Sequence, residues 1–257
     1  MSFTNLKISR KLGFAFAAVV ATIIAMSAVI YWNLMRLERA TDAEAGAVRA
    51  IDVITNAQFR LARQENSFRG FLLTNDAYYL ERLKSHRAAF DAHMEELRRG
   101  QAGRDNEAEL VARIDTALEK MDAWQAEIVD EGARLAADPI FRFKAIEMVG
   151  QNGKADVLMG PVEDALAAMQ EDERAEAAEA AALREAATAL TETVLYAGVG
   201  LAVVIAGVLG FLMSRMIAAP VTGLTGVMGQ LASGDNAVEV PAVERRDEIG
   251  EMARAVL

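Results

Sequence analysis

The residues whose types could support chemistry are few, and they do not form a catalytic set. His86 and His93 are the only histidines in the chain. They stand seven residues apart, whereas a metal pair on one helix sits three or four apart. They read as the half-exposed edge of a helix; a bridging metal or a pH-sensing imidazole is the alternative. There is no cysteine, hence no disulfide framework, thiol nucleophile or cysteine metal site. Phosphate loop, nucleophile elbow and zinc signature are all missing from the sequence. The expectation is a protein that is not an enzyme and needs neither cofactor nor metal.

Carboxylates at three places stand out instead. Glu65 lies one heptad after Gln58 on an otherwise apolar seam, with Arg69 four residues on in the favourable orientation for a helical ion pair. Gly70 follows and would let a second helix come close. A buried carboxylate is costly unless paired. Gln58, Glu65, Arg69 and Gly70 are therefore either a polar switch or ligand contact inside a bundle, or a polar layer that fixes register. Glu173 and Glu176 fall on the seam of a later helix and mark a weak point where it could shift. The surrounding Ala/Glu-rich stretch 171–185 reads as a solvated helix face. Finally, Pro220, Gly234 and the run Asp247-Glu248-Ile249-Gly250-Glu251 punctuate two short helices that follow a long apolar span.

The elements that must position these groups are membrane spans and a helical bundle. The 257 residues carry a net charge of −10, yet 53% are apolar. These figures agree if the apolar residues are gathered into spans and the acids lie in soluble parts. Two stretches, 12–31 and 194–213, have the roughly 20 apolar residues that a bilayer crossing needs. Lys7, Arg10 and Lys11 precede the first, which places the N-terminus in the cytoplasm, and Arg215 after the second agrees. A cleaved signal peptide is the alternative, but the apolar run is longer than usual and the helix continues past Trp32. The expected division is 1–11 cytoplasmic, 12–32 transmembrane, 33–193 outside the inner membrane, 194–214 transmembrane and 215–257 cytoplasmic. Small residues recur every fourth position, at Gly13, Ala17, Ala21, Ala25 and at Gly198, Ala202, Ala206, Gly210. Such stripes let two spans pack closely, whether to slide or simply to pack. An acidic chain without a long basic block argues against nucleic acid as partner.

Between the spans the apolar residues recur at alternating spacings of three and four, the mark of helices that bury one stripe. The first helix has Ala47, Ile51, Ile54, Gln58, Leu61, Glu65, Phe68 and Leu72, and ends at Thr74-Asn75-Asp76. The second has Leu80, Leu83, Phe90, Met94 and Leu97. Asn106 with Glu109 resembles a capping box for the third, which runs through Leu110, Ile114, Ala117, Met121, Trp124, Ile128 and Leu135. Asp138-Pro139 breaks that helix, and a short piece closes at Gly150-Gln151-Asn152-Gly153. The last has Val162, Leu166, Met169, Glu173, Glu176, Ala180, Leu183, Ala187 and Leu190. This is an all-α, membrane-anchored, antiparallel four-helix bundle, its first and last helices continuous with the spans.

The stretch Glu65-Asn66-Ser67-Phe68-Arg69-Gly70-Phe71-Leu72-Leu73-Thr74-Asn75-Asp76, then Tyr79-Leu80, resembles the signature of the all-helical CHASE sensor domain, type three, with Asn75 where glycine is usual. The stretch from Gly153 to Met159 is similar to that family's second half, so the resemblance covers about residues 40 to 190. From Arg215 onward the chain resembles a HAMP linker domain. Pro220 opens its first helix, Ile217, Val221, Leu224, Met228 and Leu231 give its stripe, Gly234-Asp235 opens the connector, and Val238 and Val240 anchor it. Asn236 departs from the usual apolar residue. Asp247 to Ala253 matches the start of the second HAMP helix, and the family's signalling glutamate would be Glu248. Asn5 to Leu12 is similar to the start of methyl-accepting chemotaxis receptors.

The HAMP resemblance implies a parallel dimeric four-helix bundle and so a homodimer, in keeping with a short stripe that cannot bury itself. Together the resemblances imply the sensor and HAMP part of a chemotaxis receptor. It would be a two-pass protein of the bacterial inner membrane with a periplasmic sensor. Its output domain, beyond Leu257, would meet the chemotaxis kinase and adaptor within higher receptor arrays. The same module on a histidine kinase or diguanylate cyclase, or a membrane-anchored scaffold, are the alternatives.

Overall fold

Helix periodicity in the sequence becomes eight α-helices in a computed structural model that describes residues 6–100, 102–103, 107–235 and 237–257. Asn5, Asn106 and Asn236, which figured in the sequence reading, lie outside the described residues. The helices are α1 (Ile8–Thr74), α2 (Ala77–Gly100), α3 (Glu107–Trp124), α4 (Glu131–Ala136), α5 (Arg142–Met148), α6 (Lys154–Met213), α7 (Ala219–Ala232) and α8 (Glu248–Val256). Wide π-turns join α3 to α4 (Gln125–Asp130) and α6 to α7 (Ser214–Ala218). Among the described residues there is no strand. The chain divides into two compact units, 38–184 and a second made of 1–37 with 185–257.

The first unit is the bundle. Its core joins Ile54, Leu61, Phe68 and Leu72 of α1 to Leu83, Phe90 and Met94 of α2. Ile114, Met121 and Trp124 of α3 and Val162, Leu166 and Met169 of α6 belong to the same core. Trp124 is fully buried and meets Phe68 edge to face at 6.3 Å. The α1–α2 turn is built as its residues dictate. Asn75 takes a left-handed φ of 59°, which asparagine tolerates. Asp76 then caps α2 by accepting from the Tyr78 N–H at 2.9 Å. Gly70 faces α2 so closely that a Cβ there would stand 2.6 Å from the Tyr79 ring.

Three seams differ from their reading, two of them by one residue. On α1 the buried positions are Ala57 and Gln64, while Gln58 and Glu65 lie half-buried on the flank. After the π-turn at 125–130, Gly132 and Ala136 are buried and Leu135 is only partly so. The wide turn inserts a residue, so the face that follows moves on by one position. On α6 Glu173 is buried and Glu176 half-buried, but Leu183 and Leu190 are exposed. Near Glu176 α2 reaches its end, Leu97 and Gly100 lining one groove with Ala47 and Glu176. α6 also starts earlier than its seam implied, at Lys154, and carries Pro161 in its interior.

In the second unit, two helices are long and apolar enough to cross a membrane, and the apolar windows are not covered by protein. Their outward residues, Phe14, Phe16, Ile24, Val203, Val208 and Phe211 among them, are exposed as lipid contact requires. Ala21 and Ala25 of the first small-residue stripe and Gly198 of the second line one groove, and a Cβ on Gly198 would collide with the Met26 side chain. Beyond the apolar windows, Asn33 is buried and its amide donates to the Ala187 carbonyl at 2.5 Å and Thr191 Oγ1 at 2.7 Å.

Candidate functional site: the charged joint at the start of α8

α8 begins where Asp247 breaks from helical geometry, with φ −103° and ψ −176°. Its carboxylate accepts the Gly250 N–H at 3.3 Å, satisfying one of the donors that every helix N-terminus leaves open. Gly250 has no substitute here, because a Cβ would run into the Arg245 carbonyl. Ile249 and Ala253 turn inward and pack with Leu224 of α7, against Val221, Val240 and Ile8.

Asp247 is completely enclosed. Lys11 of α1 donates to its Oδ2 at 2.7 Å, and neither side chain is exposed at all. Arg245 holds both oxygens, Nη2 to Oδ2 at 2.6 Å and Nε to Oδ1 at 3.1 Å. Two cations on one buried acid keep it ionised. The Arg245 guanidinium, with Lys11 and the Gly250 N–H behind it, holds the carboxyl far below the usual carboxylate range despite burial. Beside it, Glu248 Oε2 accepts the Ile8 backbone N–H at 2.8 Å. That N–H opens α1, so Glu248 caps the first helix while sitting in the last. The Ile8 N–H also lowers the Glu248 pKa.

Pro220 explains the third side of the joint. It stands at the start of α7 and has no N–H, so the i to i−4 bond to the Met216 carbonyl cannot form. Arg245 Nη2 reaches that carbonyl at 2.9 Å. One guanidinium thus ties the connector, the cap of α8 and the π-turn that follows α6. Arg254 reinforces the connector by donating to the Val243 and Arg245 carbonyls, each at 2.8 Å.

Of the residues singled out in the sequence, Asp247, Glu248 and Pro220 come together here. Gly234, at φ 94°, lies at the end of α7 where the connector begins. Val240 anchors the connector on the α7–α8 core, as read, while Val238 is half-buried outside it. On α7 the inward residue is Val227, and Met228, expected on the stripe, is exposed. In the bundle, Glu65 pairs with Arg69 at 2.6 Å on a partly exposed flank rather than inside the seam. Two joint residues escaped the reading. Lys11 counted only as a topogenic charge, and Arg245 went unnoticed, although a basic pair directly before a capping aspartate was its available signal. His93 lies 3.8 Å from Glu96 across one turn of α2.

A helical bundle, two membrane-capable helices and a buried charged joint are parts that a transmembrane signal transducer needs, and the comparisons identify one. Residues 41–182 match the CHASE3 domain and residues 212–256 match the HAMP domain. The first match covers more than half of the chain, which belongs to the CHASE3 sensor family and continues into a HAMP domain. Over 54 residues it is 50% identical to the protein named "Probable chemoreceptor y4sI" of Sinorhizobium fredii (strain NBRC 101917 / NGR234). That stretch is 21% of this chain and spans only 7% of the relative's length. No solved structure matches.

Proposed function

We propose that this chain is the sensor and HAMP part of a chemotaxis receptor. It acts as a homodimer in the bacterial inner membrane, with the CHASE3 bundle in the periplasm and both HAMP helices in the cytoplasm. A stimulus shifts α6, and the HAMP helices convert that shift into a second packing state read by an output module joined to α8, which governs a chemotaxis kinase and its adaptor within receptor arrays. The single observation that carries the reading is the buried joint in which Asp247 and Glu248 engage Lys11, Arg245 and the Ile8 N–H. Such a charged set can be closed or broken, which suits a two-state device. The name of the relative supports the chemotaxis branch, and exposed Met228 and Met252 support a partner helix on the open faces of α7 and α8. Glu65 with Gln58, Arg69 and Gly70, and the seam acids Glu173 and Glu176, are the parts of the bundle proposed to register the shift.

The test is output from the full-length receptor in native membranes. Asp247→Asn and Glu248→Gln should each lock kinase activity in one state and abolish the response to stimulus. Unchanged output under both substitutions refutes the joint as a relay. Phosphate transfer to a histidine of the protein itself, or synthesis of a cyclic dinucleotide, would replace the chemotaxis branch by a kinase or cyclase. Met228→Cys in this cysteine-free chain should form disulfide-linked dimers on mild oxidation.

A further inference from the structure

On the face between α1 and α2 the bundle carries a cluster of cations unconnected to the joint. Arg60 and Arg63 come from α1, Arg82 and His86 from α2. Among the described residues none of the three arginines enters an ion pair, while the neighbouring acids Glu65 and Glu81 are taken by Arg69 and Lys84. The arginines lie by aromatic rings instead: Arg60 and Arg63 near Phe59 at 5.7 and 5.5 Å, Arg82 near Tyr78 at 5.7 Å.

Beneath them the interior is polar. Gln64 is fully buried and His86 is 7% exposed. Arg60 Nη1 lies 3.3 Å from His86 Nδ1. Arginine can only donate, so Nδ1 accepts and the neutral ring carries its proton on Nε2. Gln64 turns its amide nitrogen to the Arg60 carbonyl at 3.4 Å, which leaves Oε1 aimed the other way. Three buried atoms then have no hydrogen-bond partner among the described residues: Arg60 Nε, His86 Nε2 and Gln64 Oε1. Two are donors and one is an acceptor, and buried polar groups are rarely left so. Burial, then Arg60, Arg82 and Arg63, lowers the His86 pKa.

We propose that Arg60, Arg63, Arg82, His86 and Gln64 form a binding site for a small oxyanion that also carries an O–H or N–H donor. Hydrogen phosphate and α-hydroxycarboxylates share this chemistry. The anionic oxygens accept from Arg60 Nε and His86 Nε2, the donor meets Gln64 Oε1, and Arg63 and Arg82 balance the charge. A charge-assisted bond of this kind is about twice as strong as a neutral one. The site goes beyond the relay reading, and its binding is measured without reference to output.

The experiment titrates the full chain in lipid nanodiscs with sodium phosphate, sodium lactate and sodium sulfate at matched ionic strength, by calorimetry and thermal shift. Phosphate and lactate should bind saturably, with sulfate, which has no donor at neutral pH, about tenfold weaker. Arg60→Gln with Arg63→Gln should weaken phosphate binding by at least about tenfold. Should that variant unfold, the exposed Arg63→Gln alone, followed through the His86 Nε2 resonance, gives the same comparison. No saturable effect, or one equal in wild type and variant, overturns the site. Sulfate binding as tightly as phosphate overturns the role of Gln64. None of these failures touches the relay, which depends on α8.

Discussion

Lys11 and Asp247 stand 236 residues apart in sequence and form a fully buried ion pair, Nζ to Oδ2 2.7 Å. One belongs to the first turn of α1 and the other caps α8. Leaving one charge of such a pair alone is far more damaging than removing both. Asp247→Ala should therefore cost about 3 to 5 kcal/mol in the docking of α8, read as lost hydrogen-exchange protection in residues 248–256. Lys11→Met in the same chain should recover part of that loss. Equal, additive losses from the two changes would show that the pair does not act as a unit.

Arg245 Nη2 donates to the Met216 carbonyl at 2.9 Å, the carbonyl to which Pro220, lacking an N–H, cannot donate. Pro220→Ala supplies an N–H that competes for that carbonyl. The π-turn at Ser214–Ala218 should relax toward a regular α-helix, and Arg245→Ala should then do less harm than in the wild-type chain. The check is a double-mutant cycle on α8 protection, with an expected coupling of about 0.5 to 3 kcal/mol. A cycle that closes at zero removes Pro220 from the joint.

Gly70 of α1 faces the Tyr79 ring of α2, which would stand 2.6 Å from a Cβ at that position. Gly70→Ala should destabilise the bundle by about 1 to 3 kcal/mol, since the ring must leave its place. In a Tyr79→Leu background the same change should cost less. Thermal unfolding of both pairs decides this; identical costs would mean that the ring does not set the spacing.

His86 should make the bundle sensitive to acid. Its folded pKa lies below the ordinary 6.5 through burial and then Arg60, Arg82 and Arg63. The unfolded chain therefore binds more protons in that range, and stability rises with pH. The contribution is present above about pH 6.5 and fades as the pH falls toward the lowered folded value. His86→Gln should flatten the fall in Tm between about pH 7 and 5 relative to wild type. A parallel fall in both proteins would assign the effect to other groups.

Much of this molecule is legible in its residues. The bundle helices, the turn at Asn75 and Asp76, the break before Pro139, the two membrane-capable helices and the α8 start at Asp247 all follow from local signals. A capping side chain, a left-handed asparagine or a proline acts within four residues of itself. The candidate site was half legible: Asp247, Glu248 and Pro220 carry a local pattern, whereas Lys11 and Arg245 matter only because of what they reach.

The sequence by itself determined helix identity, order and the apolar stripe of each element, because periodicity is a local property. Tertiary structure decided which edge of each stripe is buried. One residue is about 100° of helix rotation, so a small turn of α1 buries Gln64 and leaves Glu65 on the flank. The π-turn at 125–130 shifts the face again, and no spacing in the sequence announces it. Tertiary structure alone also brings Lys11 to Asp247, since an ion pair across 236 residues depends on where two helix ends meet.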